Sequence, residues 1–149
     1  MDEIARLLAV EDISILKAKY YLGVDTQDWN LIRREVFTES ISFQFSEFRE
    51  EPFVGRDVVL DMFAGALKGK TSVHHGHMPI IEVESDAAAK GLWAMEDRIY
   101  LDSAGPLREA KPILHGFGHY HETYVNDESG WRIDTIRLTR LRLETRTIL

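Results

Sequence analysis

Ala87 to Leu101 reads AAAKGLWAMEDRIYL, and its alternation sets Trp93, Met95, Asp97 and Ile99 on one face of a strand, with Glu96 and Arg98 on the other. Three further stretches share its length and its wealth of β-branched and aromatic residues: Ser72 to Glu84, Ile113 to Asn126 and Trp131 to Thr145. Turn chemistry separates them, at Ser85-Asp86 and at Asn126-Asp127-Glu128-Ser129-Gly130. Upstream the period changes. Ile13, Leu16, Tyr20 and Val24 fall on one helical face, and Gly23 weakens that helix near its end. A second helix is predicted from Asp28 as N-cap, carrying Trp29, Ile32 and Val36. A short strand at Ile41, Phe43 and Phe45 follows, then a third helix from Asp57 whose stripe is Val58, Val59, Met62, Phe63 and Ala66, with Gly69 as its stop. Helices first and a meander of long strands afterwards predict an α+β fold: a cone-shaped barrel of curved, mostly antiparallel sheet, with N-terminal helices closing an internal pocket.

The 149 residues, 44% of them hydrophobic, suffice for one domain spanning 1–149 with a sizeable core. A net charge of −7 argues against nucleic-acid and anionic-membrane partners, which attract clustered Lys and Arg. A small neutral or hydrophobic ligand is the better default. Without cysteine there is no disulfide framework, thiolate metal site or cysteine nucleophile. The acidic start at Asp2-Glu3 and the lack of a long apolar run predict a cytoplasmic protein.

Polar groups in apolar patterns mark the candidate chemistry. Tyr20 tips the first helix stripe and Asp25 lies just beyond it; the plain alternatives are core packing for the tyrosine and a turn role for the aspartate. Strand alternation puts His74 on the side of Met78 and Ile80, where an imidazole would exchange a proton if an acid fixed its tautomer. Its ordinary alternative is a core histidine bonded to a carbonyl. Asp97, amid Trp93, Met95 and Ile99, needs a partner when buried. Two constellations follow. One joins Tyr20, Asp25, His74 and Asp97 in a pocket. The other uses the i, i+2 pairs His75/His77 and His119/His121, with Glu82, to chelate a metal in a cupin-like barrel. In the last strand Ile136, Leu138, Leu141 and Leu143 interleave with Arg137, Arg140 and Arg142, which predicts one packed face and one polar face, either solvated or at a subunit interface.

Four segments, Lys19 to Trp29, Val73 to Pro79, Gly91 to Arg98 and Gly118 to Ile133, together resemble the SnoaL-like branch of the nuclear transport factor 2-like superfamily over nearly the whole chain. Within it the bile acid 7α-dehydratase family is the most similar, with the scytalone dehydratase and hexachlorocyclohexane dehydrochlorinase families more distant. The resemblance implies a cofactor-independent lyase or isomerase that abstracts a proton next to a carbonyl of a small hydrophobic substrate. It implies catalytic roles for Tyr20, Asp25, His74 and Asp97, without metal or cofactor, in a homo-oligomer that is a trimer or dimer. His74 would be the base, Asp25 the holder of its imidazolium, Tyr20 a donor to the carbonyl or departing hydroxyl, and Asp97 an orienting or proton-passing group. Trp93, Met95 and His119 are the expected substrate contacts, and His119 replaces an aromatic residue of the bile acid enzymes. A histidine-rich metalloprotein and a non-catalytic ligand-binding domain are the competing readings.

Overall fold

The computed structural model describes residues 2–46, 50–101 and 112–146. Helix α1, Glu3–Asp25, starts at Asp2, whose carboxylate accepts from the Ala5 N–H at 2.7 Å and satisfies an otherwise free amide. The predicted stripe of Ile13, Leu16, Tyr20 and Val24 is buried, joined by Ala9 and by a charged residue, Lys17. Beyond α1 the chain turns through Gln27 at φ 55°, and the Gln27 side-chain amide donates to the carbonyls of Leu67 and Lys70 at 3.2 and 2.9 Å. The end of α1, and Asp25 with it, is thereby tied to the start of the strand that carries His74. Gly23 answers to packing, since a Cβ there would overlap the side chain of Ile32.

Asp28 caps as expected, accepting from the Leu31 N–H at 2.9 Å, but the helix it opens is short. Helix α2, Trp29–Leu31, widens at once into a π-helical turn, Ile32–Val36, that buries both Ile32 and Val36. Strand β1, Phe37–Phe45, buries Ile41 and Phe43 on one face, as its alternation predicts. After the two-residue strand β2, Phe53–Val54, comes helix α3, Arg56–Leu67. Its buried face is Val59, Leu60, Phe63 and Leu67. Val58, expected on that stripe, is 51% exposed, because the 3.6-residue period that holds Phe63 against β1 turns Val58 outward. Gly69, at φ 66°, ends the segment.

The expected strand from Ser72 to Glu84 is two strands, β3, Lys70–Gly76, and β4, Ile80–Val83. The chain breaks at His77-Met78-Pro79, where proline has no N–H for a ladder. Met78 and Ile80 are 91% and 71% exposed, so they are not the apolar neighbours of His74 that unbroken alternation suggested. Strands β5, Ala88–Leu101, β6, Leu114–Asp127, and β7, Gly130–Thr145, form the meander. The sheet order is β2-β1-β7-β6-β5-β3, with β4 also on β5; every pairing is antiparallel except β1 with β7. The curved sheet stays open; α1 packs on its inner face against β3 and β7 and α3 against β1, around a core that includes Tyr120, Ile133, Ile136 and Leu138. This is the predicted α+β cone. Among the described residues no helix is long and apolar enough to cross a membrane.

Candidate active site

Backbone register brings the site together. His74 lies opposite Asp97 in the β3–β5 ladder, and Asp97 lies opposite Gly116 in the β5–β6 ladder, so the three form one row across the sheet. At one end of the row Asp25 arrives from the end of α1. Its carboxylate accepts three hydrogen bonds: from the His74 ring at Nδ1, 2.6 Å, from the His74 backbone N–H, 2.8 Å, and from the Ser72 hydroxyl, 2.9 Å. With Nδ1 engaged on Asp25, Nε2 is the nitrogen left for a ligand, and the His74 side chain is only 9% exposed.

At the middle of the row Asp97 is held by Arg140 of β7, whose two terminal nitrogens donate to its two oxygens at 2.6 and 2.7 Å. Both side chains are almost fully buried. Arg140 reaches Asp97 across β6, and Gly116 makes that possible, because a Cβ there would overlap both Arg140 and the Asp97 carboxylate. Sequence reading placed Arg140 on a polar outer face with Arg137 and Arg142. Strict alternation carries the correction: Ile136, Leu138 and Arg140 share one parity and point inward, while Leu141, expected inside, is 76% exposed where the β6–β7 register shifts.

Tyr20 of α1 and Tyr120 of β6 complete the polar wall. Their rings meet edge to face at 6.0 Å, and both line the same cavity. Burial, followed by the nearby Glu122 charge, pushes the Tyr20 phenol well above its ordinary range; burial chiefly does the same to Tyr120. Both therefore stay protonated and act as O–H donors near neutrality. His74, Asp97, Arg140, Tyr20 and Tyr120 all line one cavity of about 410 Å³, whose remaining wall is apolar and aromatic, including Phe43, Phe45, Phe63 and Leu138. That volume suits a small organic ligand. A larger depression, about 500 Å³, lies on the other side of the sheet among Lys90, His121 and Arg137 and holds none of these groups.

The structure thus gathers Tyr20, Asp25, His74 and Asp97 at one place and adds Ser72, Tyr120 and Arg140, which sequence reading did not single out. The three expected substrate contacts lie elsewhere. Trp93 is buried in the core and donates to the Tyr124 hydroxyl at 2.8 Å. Met95 is buried with its sulfur 3.5 Å from an Arg140 nitrogen. His119 alternates with the inward Tyr120 and faces the outer surface beside His121, whose ring bonds the Thr139 hydroxyl at 3.0 Å. His75, His77 and Glu82 are exposed, and β5 separates the His75/His77 segment from β6. Among the described residues no group of three or more His, Cys, Asp or Glu side chains converges as a metal site.

Solved structures repeat this architecture. A Novosphingobium aromaticivorans protein that carries a provisional assignment as a scytalone dehydratase superposes with a TM-score of 0.81 at 15% identity, covering 99% of this chain and 94% of its own. A hexachlorocyclohexane dehydrochlorinase, LinA-type3, from Novosphingobium barchaimii gives 0.78 at 13% identity, with 99% and 97% covered. A variant of a Mycobacterium tuberculosis protein of unknown function gives 0.74 at 24% identity, with 92% and 74% covered. At these identities the likeness speaks for the fold. The sequence itself matches the SnoaL-like domain over residues 5–137, from the first turns of α1 through most of the cavity wall, and the chain belongs to that family.

Proposed function

We propose that this protein is a cofactor-independent lyase or isomerase that removes a proton next to a carbonyl of a small hydrophobic molecule. One observation carries the reading: the His74 ring, bonded through Nδ1 to a carboxylate that two further donors fix, stands on the wall of a largely apolar cavity. His74 Nε2 takes the proton from carbon, and Asp25 stabilises the imidazolium that results. The electron pair moves toward the carbonyl oxygen, where Tyr20 donates a hydrogen bond to the developing charge. In a dehydration the β-carbon–oxygen bond then breaks, the double bond forms, and the hydroxide leaves as water with a proton returned from the site. Asp97 has both oxygens occupied by Arg140, so its role is to aim that guanidinium at the cavity rather than to pass a proton. The provisional scytalone dehydratase and the dehydrochlorinase of the same fold supply the analogy for an elimination.

A panel of β-hydroxy ketones and hydroxylated aromatic ketones, followed by loss or gain of conjugated absorbance, tests the proposal. Turnover by the parent that His74→Ala and Asp25→Asn both abolish supports it. Ligands that bind in the cavity and are returned unchanged, with an affinity indifferent to Asp25→Asn, would make this a binding domain.

A further inference from the structure

Lys17 is fully buried, and its ammonium forms an ion pair with Glu122 of β6, itself 3% exposed. A buried pair of this kind is a poor stabiliser, since its desolvation is commonly as large as its attraction and an apolar pair would serve the fold as well. Its surroundings indicate another use. The Lys17 nitrogen lies 4.0 Å from the ring centre of Tyr20, 3.9 Å from that of Tyr120 and 4.8 Å from that of Tyr21. Two of those rings carry the phenols on the cavity wall. Glu122 is fixed in turn, accepting from the Tyr124 hydroxyl at 2.5 Å, and Tyr124 accepts from the Trp93 indole. The cation is therefore locked behind the two phenols, on the side away from the ligand.

An ammonium held against the faces of two phenols withdraws electron density from them, which opposes the effect of burial and of Glu122 and makes their hydroxyls stronger donors than they would be beside Glu122 alone. Two phenols bring two hydroxyl protons to the cavity wall, and even with one of them shared between the rings the other is left for an acceptor in the cavity. We infer that Lys17 is a positioning residue that turns Tyr20 and Tyr120 into a seat for an oxyanion, so that the ligand oxygen bound there is an enolate or phenolate. This rests on the proposed chemistry, in which charge develops on a carbonyl oxygen beside Tyr20, and it adds the group that favours the charged form.

The probe is 4-nitrophenol, which ionises near neutrality and whose absorbance distinguishes bound phenol from bound phenolate. Its affinity is measured on both sides of that ionisation, for the parent and for Lys17→Met/Glu122→Gln, which keeps the volume and removes both charges. His74, Asp25, Asp97, Arg140 and Tyr21 face the same region in both proteins, so the comparison isolates the buried pair. The parent is expected to favour phenolate, and the double variant to lose about tenfold in phenolate affinity while neutral-phenol affinity changes by less than about threefold. If that variant does not fold, Lys17→Met/Glu122→Met carries the same expectation with an apolar pair. Equal losses for the two forms, no loss for either, or no phenolate preference in the parent would overturn the assignment. Failure of the dyad chemistry shows instead as turnover that survives His74→Ala, with the phenolate preference intact.

Discussion

Asp25, the last residue of α1, takes two hydrogen bonds from one residue, His74, through its backbone amide and its ring, so a single carboxylate sets both the position and the tautomer of the imidazole. The two residues are held in register by the Gln27 turn and not by the sheet.

That arrangement predicts a kinetic signature. His74→Ala should lower kcat by about 10²–10⁴ with little change in KM, the range for losing a general base. Asp25→Asn keeps one acceptor oxygen where Asp25 uses two, Oδ1 for the Ser72 hydroxyl and the His74 ring and Oδ2 for the His74 amide, so it should lower kcat and cost some stability as well. Steady-state kinetics beside thermal unfolding checks both.

Gly116→Ala tests the buried ion pair without touching either charge. The new methyl would overlap Arg140 and the Asp97 carboxylate, so one of them must move. A loss of about 1–3 kcal/mol is expected, the usual cost of overpacking. Denaturant unfolding with an unchanged slope would verify it, and a ligand that touches Arg140 should bind more weakly.

Phe63 packs edge to face on Phe43 at 5.1 Å and lines the cavity. Phe63→Ala should destabilise by about 3–5 kcal/mol. It should also enlarge the site, so that bulkier ligands rejected by the parent gain affinity. Calorimetric titration with a homologous series of ketones of increasing size is the measurement.

Acid stability depends in part on Glu96. Its bond to the His115 ring, at 2.7 Å, opposed by burial and reinforced by Arg98 at 2.5 Å, holds its carboxyl below the ordinary value of 4.5. The unfolded chain therefore binds this proton more readily than the folded one. The stabilisation is complete above 4.5 and is lost as pH falls through the depressed folded value. Glu96→Gln should flatten that part of the stability profile, as followed by urea unfolding at stepped acidic pH.

The legible parts of this molecule were those set by periodicity. The α1 stripe and the inward face of β5, with Asp97 among apolar residues, came directly from spacing. The same test applied to other elements would have found more: Lys17 falls four residues after Ile13, Glu122 lies between Tyr120 and Tyr124 in parity, and Arg140 continues Ile136 and Leu138. Each is a charge on a buried face, visible in the pattern; Arg140 was assigned to the polar face of its strand, and Lys17 and Glu122 were not singled out. The split of β3 from β4 was signalled by Pro79. The π-helical turn at Ile32–Val36, the parallel pairing of β1 with β7 and the crossing of Arg140 over Gly116 depend on tertiary packing, which no local spacing encodes. His119 was placed on the cavity by a positional likeness, and alternation with Tyr120 turns it to the other side.

The parallel pairing of β1 with β7 has a kinetic meaning. Strand β1, near the start of the fold, meets the short β2 locally but joins the rest of the sheet through the last strand, while the β5–β6–β7 meander closes through near neighbours in sequence. Local meander contacts form at little loop-closure cost, and the β1–β7 contact must await nearly the whole chain. The cavity has Phe43 and Phe45 on β1 and Leu138 and Arg140 on β7, so its two sides meet at that late step. Refolding should run on the slow side for a chain of this size, and a ligand should act mainly by retarding unfolding, since the site does not exist in the transition state that precedes it.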